Sequence, residues 1–463
     1  MKILLIEPAK APATMAGEDV HIFEPLALEY IAAGVKNDHD VKILDMRLDK
    51  NLKGTLENFE PDIVGITAFT VHVNPVRNLF GEIKRLNPGI LTVVGGHHAT
   101  VVPEDFKSPY IDVIVMGEGI FAFKEIAARF EKNNQSFSDI QGIAYKNGEE
   151  LVKNNSPVTI DLDSCPFPAR SLTAEYRKEY YCEWMKPLAS IRTSKGCPFR
   201  CSFCALWKLT GGKYFKRSPE SIVEELGSID EPFVFFADDE SLVDAERMKK
   251  LAGLIREAGI KKQYFLYGRS DTIAKNPGLI EAWRAVGLER VFIGLEFFKD
   301  SDLEYIKKGS NISDNDRAVK ILFDNGVDVY ASFIIRPEFD KKDFASLRKY
   351  IRNLDLNFAS FAILTPLPGT DFYYEVKDRM ITDNYNYFDF IHTLLPTKLP
   401  MREFYDEYTL MLKKSIPLKN IFPFLMKFRM KEIIPSLGKI KDFYAKLDKI
   451  HLDYEEDQNV HIH

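Results

Sequence analysis

Several features that define common protein classes are missing from this sequence. The N-terminal stretch MKILLIEPAKAP has only a short apolar run before Glu7, which is shorter than the hydrophobic region of a secretion signal. No run approaches the roughly 18 uninterrupted apolar residues that a membrane-spanning helix requires. The five cysteines are odd in number, unlike those of a secreted disulfide framework. We therefore expect a cytoplasmic protein with no membrane span.

An excess of positive charge is also absent. The chain has 62 Lys and Arg residues against 68 Asp and Glu residues, and its formal net charge is -6. No overall field favours nucleic acid, so we expect no nucleic-acid partner, and any basic patch must be local. A hydrophobic content of 45% is typical of a folded globular protein. At roughly 100 to 200 residues per domain, the length predicts two to four units.

The first 125 residues alternate short apolar runs with helical patterns. The runs KILLIEP, VKILDMR and DIVGITA are rich in Val, Ile and Leu, as strands buried on both faces of a parallel sheet must be. The pattern predicts a doubly wound, Rossmann-like α/β domain over residues 1–141. A GxGxxG sequence that opens a helix is missing, which disfavours a dinucleotide site.

Small and polar residues follow three of the predicted strands. The carboxyl ends of strands are where open parallel sheets bind ligands, so we expect a ligand at these positions. The candidate residues are Thr67, Gly95, Gly96, His97, Gly117, Glu118 and Gly119.

The rest of the chain divides into three segments. Asn147-Gly148 lies between alternating runs and predicts a hairpin, which we place in a linker over residues 142–187. Strand and helix then alternate about six times, which predicts a partial parallel (β/α)6 barrel over residues 188–375. Residues 376–463 lose the strand pattern and are predicted to be mostly helical. Their amphipathic, locally basic part, residues 413–450, is either a helix packed on the barrel or a partner-binding surface.

Three of the five cysteines lie within eight positions. Cys197, Cys201 and Cys204 form a CxxxCxxC loop after a predicted strand, and this loop can hold a 4Fe-4S cluster with one iron left open. Zinc is the alternative, but no fourth Cys or His follows at finger or ribbon spacing. Cys165 and Cys182 have no partner at metal-ligand spacing, so we interpret them as buried structural thiols.

This loop resembles that of the radical S-adenosylmethionine (SAM) superfamily in its spacing, in the aromatic residue before the third cysteine, and in its place after the first barrel strand. The resemblance implies that the open iron chelates SAM and that an electron, from a donor such as ferredoxin or flavodoxin, cleaves SAM to a 5′-deoxyadenosyl radical. It also implies SAM contacts at successive strand ends, among them an Arg fork that suits a carboxylate. The implied SAM-binding residues are Phe203, Asp238, Asp239, Glu240, Arg269 and Glu296.

The strand-end residues of the first domain occur in the order GIT, VVGGHHATVVPED and VIVMGEG, which resembles the cobalamin-binding domain of the cobalamin-dependent radical SAM class. The resemblance covers most of residues 1–375 and implies that cobalamin binds at the candidate residues named above. The DxHxxG motif is missing, because Asp19-Val20-His21 is followed by Glu24 at the glycine position. Cobalamin is therefore expected without a ligand from that motif, and His97 and His98 are expected along its nucleotide tail.

Together the two resemblances imply a methyltransferase that moves a methyl group from SAM, through methylcobalamin, to an unactivated carbon. One alternative is ring closure, as in the anaerobic magnesium-protoporphyrin ester cyclases, and another is a cofactor-binding sensor without turnover. The basic, aromatic C-terminal segment favours a peptide or protein substrate, and our specific prediction is a post-translational methylation of glutamine in methyl-coenzyme M reductase. Lipids, tetrapyrroles and small metabolites are the other substrate classes.

Overall fold

The computed structural model describes residues 1–15, 17, 21–134, 136–155, 161–428 and 430–457. Three parts of the sequence predictions lie outside the described residues: Asp19 and Val20 of the incomplete motif, residues 156–160 of the predicted linker, and the chain end from residue 458. Within the described part, no helix is both long enough and apolar enough to span a membrane.

The first part of the chain forms a sheet with helices on both faces. Its strands are β1 (Lys2–Glu7), β2 (His21–Ile22), β3 (Asp40–Asp45), β4 (Ile63–Thr67), β5 (Leu91–Gly95), β6 (Val113–Val115), β7 (Ile143–Asn147) and β8 (Glu150–Lys153). Its helices are α1 (Leu26–Val35), α2 (Leu52–Phe59), α3 (Val73–Leu86), α4 (His97–Val101) and α5 (Gly119–Glu131). All strands except β2 join one sheet in the order β3-β1-β4-β5-β6-β7-β8, and the first five in that order are parallel. The doubly wound fold is therefore confirmed.

Two separate apolar cores explain why the strand sequences are continuous apolar runs. On one face, Leu28 of α1 and Phe123 of α5 pack with Leu5 and other strand residues. On the other face, Phe80 of α3 packs with Ile6 and its neighbours. Since alternate residues of one strand serve opposite cores, every position of a central strand must be apolar.

The hairpin predicted at Asn147-Gly148 is present, but it belongs to the first sheet. Strand β7 pairs antiparallel with β6, and β8 pairs antiparallel with β7. Placing this hairpin in the linker is corrected, because its backbone donors and acceptors complete the edge of the sheet beside β6. The first sheet therefore extends to Lys153, and the connection to the barrel follows it.

The second part of the chain is an open parallel barrel. Its strands are β9 (Tyr181–Cys182), β10 (Leu188–Ile191), β11 (Ser194–Lys195), β12 (Phe215–Lys216), β13 (Phe233–Phe236), β14 (Gln263–Arg269), β15 (Leu288–Glu296), β16 (Asp328–Ile335) and β17 (Phe358–Ile363). Its helices are α6 (Leu206–Leu209), α7 (Pro219–Gly227), α8 (Ala245–Glu257), α9 (Ser270–Lys275), α10 (Pro277–Arg284), α11 (Asp300–Tyr305), α12 (Ile312–Asp324), α13 (Lys341–Asn353) and α14 (Asp371–Val376). Six strands pair in parallel in the order β10-β13-β14-β15-β16-β17, which confirms the (β/α)6 prediction.

The barrel strands have two unlike faces. Outward residues such as Ile293 and Val329 are fully buried against the helices, in a core that includes Trp283. Inward residues on the same strands, such as Phe292 and Tyr330, keep part of their surface accessible. We call the space inside the barrel, into which these inward side chains project, the lumen.

The C-terminal part is helical, as predicted, and consists of α15 (Met401–Lys414), α16 (Leu418–Leu425), α17 (Met430–Leu447) and α18 (Ile450–Glu456). Helix α15 packs on the barrel, and its Tyr408 Oη donates to the carbonyl of Phe361 in β17 at 2.8 Å. Helix α18 joins it through Tyr454, whose Oη lies 2.7 Å from Tyr405 Oη. Within residues 413–450, Leu447 and Ile450 join the same core as the barrel, which agrees with the interpretation of a helix packed on the barrel.

The first domain and the barrel touch where both present the carboxyl ends of their strands. The ring of Phe23 stacks on that of Phe235 in β13, with centroids 4.5 Å apart. The guanidinium of Arg192 lies 4.3 Å from the centroid of the Tyr30 ring. A Cβ atom on Gly369 would collide with Val101 of α4, so the sixth-strand loop approaches the first domain closely enough to require glycine. Ligand-binding edges of the two sheets thus face each other.

Candidate functional site

The three cysteines lie on one loop that the backbone holds in place. Gly196 precedes the loop with φ +89°, and a Cβ atom there would collide with the carbonyl of Lys213, so only glycine fits. The amide of Ser202 donates to the carbonyl of Ile306 at 2.9 Å, and the carbonyl of Ser202 accepts from Phe372 at 2.9 Å. Two other barrel loops therefore fix the middle of the cysteine loop.

The environment of the thiols suits a metal cluster. Burial raises the pKa of Cys197 to about 11 and that of Cys204 to about 12. A metal ion bound by these sulfurs would favour the thiolate form. Arg269 Nη1 lies 3.8 Å from the Sγ of Cys201. In the described residues, no three His, Cys, Asp or Glu side chains are placed to hold a single metal ion.

Cys165 and Cys182 are not part of this loop. Both are buried free thiols, and burial raises the pKa of Cys165. Cys182 pairs in the short ribbon between β2 and β9 and packs with Met185 and Leu188 below the lumen. Their interpretation as structural thiols agrees with this burial.

The acidic segment after β13, residues 238–240, contacts the backbone that leads into the cysteine loop. Asp238 accepts from the amides of Thr193 and Ser194 at 2.7 and 2.8 Å, and Asp239 accepts from the amide of Gly196 at 2.7 Å. These carboxylates therefore position the backbone that leads into the cysteines. Their predicted contacts with SAM stay predictions.

Glu240 has a different environment from its two neighbours. It is fully buried, and burial raises its pKa to about 8, although the amide of Arg269 donates to it at 3.4 Å. The backbone of Leu242 also donates to it. A carboxyl group with two backbone donors retains acceptor capacity for a ligand. Of the three acidic residues, Glu240 is the one whose surroundings best suit the predicted role toward the amino group of SAM.

Arg269 ends β14 beside the cysteine loop. Its Nε donates to Asp271 at 2.9 Å, another nitrogen donates to the carbonyl of Lys308, and its guanidinium lies 3.6 Å from the centroid of the Phe199 ring. A guanidinium fixed on several sides is pre-organised to receive a carboxylate. The sequence did not indicate the Phe199 contact, although Phe199 lies inside the cysteine loop.

Glu296 ends β15 in a conformation that the surrounding structure imposes. Its φ is +63°, unusual for a residue with a side chain, and the ladder with β16 is irregular there. Its Oε1 accepts from the Nζ of Lys308 at 2.6 Å. A Cβ atom on Gly294 would collide with this carboxylate, so the small residue two positions earlier makes room for the ion pair. The sequence indicated Glu296, and the structure adds Lys308 as its partner.

Phe203, the aromatic residue before the third cysteine, is partly buried and packs against the barrel core. Its predicted SAM contact stays a prediction. The cysteine loop, the acidic segment, Arg269 and Glu296 are nevertheless gathered at one end of the barrel. We call this end the rim.

The loop after β5 of the first domain forms the start of a second site. Gly96 has φ +101°, and a Cβ atom there would lie 2.7 Å from the amide nitrogen of Ala68. The same amide donates to the carbonyl of Gly95 at 2.9 Å. The strands that end at Thr67 and Gly95 are therefore joined so closely that only glycine can follow.

His97 and His98 have opposite environments. The ring of His97 stacks on Phe69 with centroids 4.8 Å apart, and it keeps accessible surface within a space that protein surrounds. Burial and Lys195 lower its pKa to about 4, so the imidazole is neutral at pH 7. His98 is buried instead, with its ring nitrogens 3.2 Å from Thr70 Oγ1 and 2.8 Å from Asp105. Of the two rings, that of His97 is accessible and that of His98 is not.

The third loop of the first domain meets the barrel directly. Gly117 has φ +82° and donates its amide to Thr100 Oγ1 at 2.9 Å. Glu118 pairs with Arg192 at 2.8 Å and with Lys195 at 3.1 Å, and these cations hold its pKa low despite burial. Gly119 begins α5. Because Lys195 lies two residues before Cys197, this loop and the cysteine loop border the same space between the domains.

Comparison with known proteins agrees with this two-part site. A family model described as a B12 binding domain matches residues 13–127, and one described as the radical SAM superfamily matches residues 191–351. The chain is 30% identical over 391 residues to the hopanoid C-3 methylase of Methylococcus capsulatus, covering 83% of this chain and 75% of that protein. It is 27% identical over 411 residues to the anaerobic magnesium-protoporphyrin IX monomethyl ester cyclase of Rubrivivax gelatinosus, covering 85% and 73%.

Solved structures share the fold over the whole chain. The structure of the cobalamin-dependent S-adenosylmethionine radical enzyme OxsB, with aqua-cobalamin and S-adenosylmethionine bound, aligns with a TM-score of 0.69. The alignment covers 99% of this chain and 80% of that protein, at 15% sequence identity. The order of the two domains and their mutual placement are therefore those of a known architecture.

Proposed function

Because this chain belongs to the cobalamin-dependent radical SAM family, we propose that it transfers a methyl group to an unactivated carbon of an apolar substrate held in the lumen. The matches to both domain models and to a named methylase support the reaction class. The observation that carries the substrate class is the aromatic lining of the lumen. This lining lies between the rim and the opposite end of the barrel, where the strands begin, which we call the barrel floor.

The residues present fit the cofactors of this family, which are a 4Fe-4S cluster, SAM and cobalamin. Cys197, Cys201 and Cys204 would hold the cluster, and the pre-organised guanidinium of Arg269 and the buried Glu240 would receive SAM. The glycine-bearing loops around His97, with its accessible neutral ring, would receive cobalamin. When bound, the cluster and SAM would supply a radical that abstracts a hydrogen atom, and cobalamin would supply the methyl group for transfer.

The contribution of the chain itself is positioning and the exclusion of water. The first domain reaches the lumen through Phe23, whose ring covers Phe235 at the barrel edge. Ion pairs of Glu118 with Arg192 and Lys195 hold the third loop of the first domain next to the rim. Radical chemistry requires such enclosure, because a misplaced or solvated substrate diverts the radical.

The lumen lining consists of aromatic rings that contact one another around the barrel. Tyr267 lies 4.9 Å from Phe292, Phe292 lies 5.1 Å from Tyr330, and Tyr330 lies 4.7 Å from Phe358, measured between ring centroids. Phe265 on β14 lies parallel to Tyr330 on β16 at 6.3 Å. A surface of this kind binds a bulky apolar molecule by dispersion and burial.

Hydroxyl groups give this lining polar character: those of Tyr267 and Tyr330, and those of Ser332 and Ser360, which share the inward face of β16 and β17. Burial raises the pKa of Tyr267 and that of Tyr330, so both phenols stay neutral and can donate a hydrogen bond. Together they can orient one polar group of an otherwise apolar substrate. The relatives named for a hopanoid and for magnesium-protoporphyrin ester act on large hydrophobic molecules of this general kind.

Ring closure is the second candidate reaction, because a named cyclase covers 85% of this chain. Methyl transfer is favoured by the higher identity to the methylase. Methylation of a glutamine in methyl-coenzyme M reductase stays a prediction, as does a ferredoxin or flavodoxin donor.

The test uses the protein reconstituted with iron, sulfide and cobalamin, supplied with reductant and SAM carrying a deuterated methyl group. Lipid extract, tetrapyrrole pigments and a peptide mixture are offered in separate reactions and analysed by mass spectrometry. We expect deuterated methyl in a lipid or pigment, together with equal amounts of 5′-deoxyadenosine and S-adenosylhomocysteine. Label in the peptides would overturn the substrate class, and 5′-deoxyadenosine with an unlabelled, cyclised product would overturn methyl transfer.

A further inference from the structure

Helix α16 and the turn after it expose a continuous apolar face. The exposed fractions of its large side chains are 84% for Leu418, 36% for Ile421, 69% for Phe422, 37% for Leu425 and 69% for Met426. These positions follow the spacing i, i+3, i+4, i+7 and i+8, which places them on one side of a helix. We call this surface the apolar face of α16.

The helix is attached to the barrel through its polar residues, which is the reverse of an ordinary surface helix. Lys419 Nζ lies 2.8 Å from Asp355 Oδ2, and Asn420 Nδ2 donates to the carbonyl of Leu356 at 3.0 Å. On the turn that follows, Lys427 Nζ lies 4.8 Å from the centroid of the Trp184 ring. These contacts turn the apolar face away from the protein.

The neighbouring helix α15 shows the usual arrangement. Its Phe404, Tyr408 and Met411 are buried against the barrel, and Lys413 and Lys414 at its end are exposed. Both helices are amphipathic in sequence, yet only α15 turns its apolar side inward. An apolar face held outward by specific polar anchors marks a surface that binds something apolar.

The charge around this face identifies the partner. Residues 413–450 contain ten Lys and Arg residues against three Asp and Glu residues, while the chain as a whole has a net charge of -6. Farther along, Ile440 is half exposed between Lys439 and Lys441. An apolar helical face within a basic segment matches an anionic lipid surface, where hydrocarbon receives the apolar side chains and headgroups receive the cations.

We propose that the apolar face of α16 docks the protein on the surface of an anionic lipid bilayer. The helix lies in the interface and does not span it, since α16 is too short to cross. Docking would bring the barrel floor, where Lys427 lies 3.5 Å from Asp328, close to the bilayer. The proposal rests on α16 and the basic segment that contains it, and does not depend on the proposed reaction.

The experiment is flotation of the full-length protein with vesicles. One set contains phosphatidylcholine with about one third phosphatidylglycerol, and the other contains phosphatidylcholine only. We expect the protein to float with the anionic vesicles, to bind the neutral ones at least about tenfold more weakly, and to be released from the anionic ones by high salt. Absence of binding to anionic vesicles would overturn the proposal.

A variant with Leu418→Gln, Phe422→Gln and Met426→Gln tests the apolar face. We expect it to lose at least about tenfold in binding to anionic vesicles. Its matched control is Phe121→Gln, which removes an exposed aromatic side chain from α5 of the first domain and should bind as the parent does. Circular dichroism melting checks that both variants fold.

Two results would refute docking on lipid through this face. One is unchanged flotation of the triple variant. The other is self-association of the parent protein that the triple variant abolishes in sedimentation while vesicle binding is absent, which would assign the face to a second copy of the chain.

Discussion

The rim and the middle of the same barrel lumen are built on opposite principles. At the rim, charged groups are engaged in defined polar contacts: Glu296 with Lys308, Arg269 with Asp271, and Asp239 with the amide of Gly196. In the middle, aromatic rings such as Phe292 and Tyr330 pack against one another and keep part of their surface accessible. The difference teaches that the rim is arranged for polar ligands of fixed geometry, whereas the middle selects by shape and apolarity.

The largest effect should come from removing a cluster ligand. Cys201→Ala should lower 5′-deoxyadenosine formation by at least about a thousandfold, because without three thiolates the cluster is not retained. Iron content of the reconstituted protein and 5′-deoxyadenosine yield measure it. Cys165→Ala is the control and should retain iron, since this buried thiol is not one of the three cysteines of the loop. Full iron content in Cys201→Ala would contradict the assignment.

The ion pair of the rim should matter next. Glu296→Gln keeps an acceptor for Lys308 but removes the charge, and we expect kcat/KM for SAM cleavage to fall about 10- to 100-fold, as for other groups that hold a ligand-binding residue in place. Glu338→Gln, an exposed carboxylate after β16, is the control. An unchanged kcat/KM in Glu296→Gln would show that the rim charges are structural only.

A substitution in the aromatic middle of the lumen should lower methylation without lowering SAM cleavage to the same extent. Phe292→Ala should lower methylated product about tenfold while 5′-deoxyadenosine stays within about threefold, because the radical still forms but the substrate is misplaced. Ile293→Ala, on the next residue of the same strand, faces the outer core and should instead lower the free energy of unfolding by about 2 to 5 kcal/mol. Equal loss of both products in Phe292→Ala would remove the distinction between rim and middle.

The smallest effect should come from the lumen hydroxyl. Tyr330→Phe keeps the ring and its contact with Phe358, so methylation of an apolar substrate should change by no more than about threefold. Product yield at saturating SAM is the measurement. A loss of a hundredfold would instead indicate that polar recognition dominates the middle layer.

Much of the rim was predictable because its residues are adjacent in sequence or end successive strands. The spacing of Cys197, Cys201 and Cys204 already implied a cluster, and Glu296 and Arg269 each close an apolar strand. The partner of Glu296 was not predictable, since Lys308 comes from a later loop. Whether Asp238 meets SAM or the backbone of Thr193 also depended on loop positions that a linear pattern does not contain.

The lumen and the C-terminal segment show more clearly which features cannot be predicted from the sequence. Aromatic residues alternate along β14 to β17, but only the pairing register shows that Tyr267, Phe292 and Tyr330 stand side by side facing inward. Amphipathic spacing is equally visible in α15 and α16. The anchors at Asp355 and Trp184, distant in sequence, decide that α16 turns its apolar side outward.

The sequence by itself determined the fold class, the two-domain order, the cluster loop and the glycine-bearing strand ends, because these depend on local spacing and on the period of apolar residues. The tertiary structure alone decided which charges pair at the rim, which rings line the lumen, that the hairpin closes the first sheet, and which face of α16 is free. Those features arise from contacts between segments far apart in the chain. Several partners are available to each side chain, and the packing of the tertiary structure decides which of them it contacts.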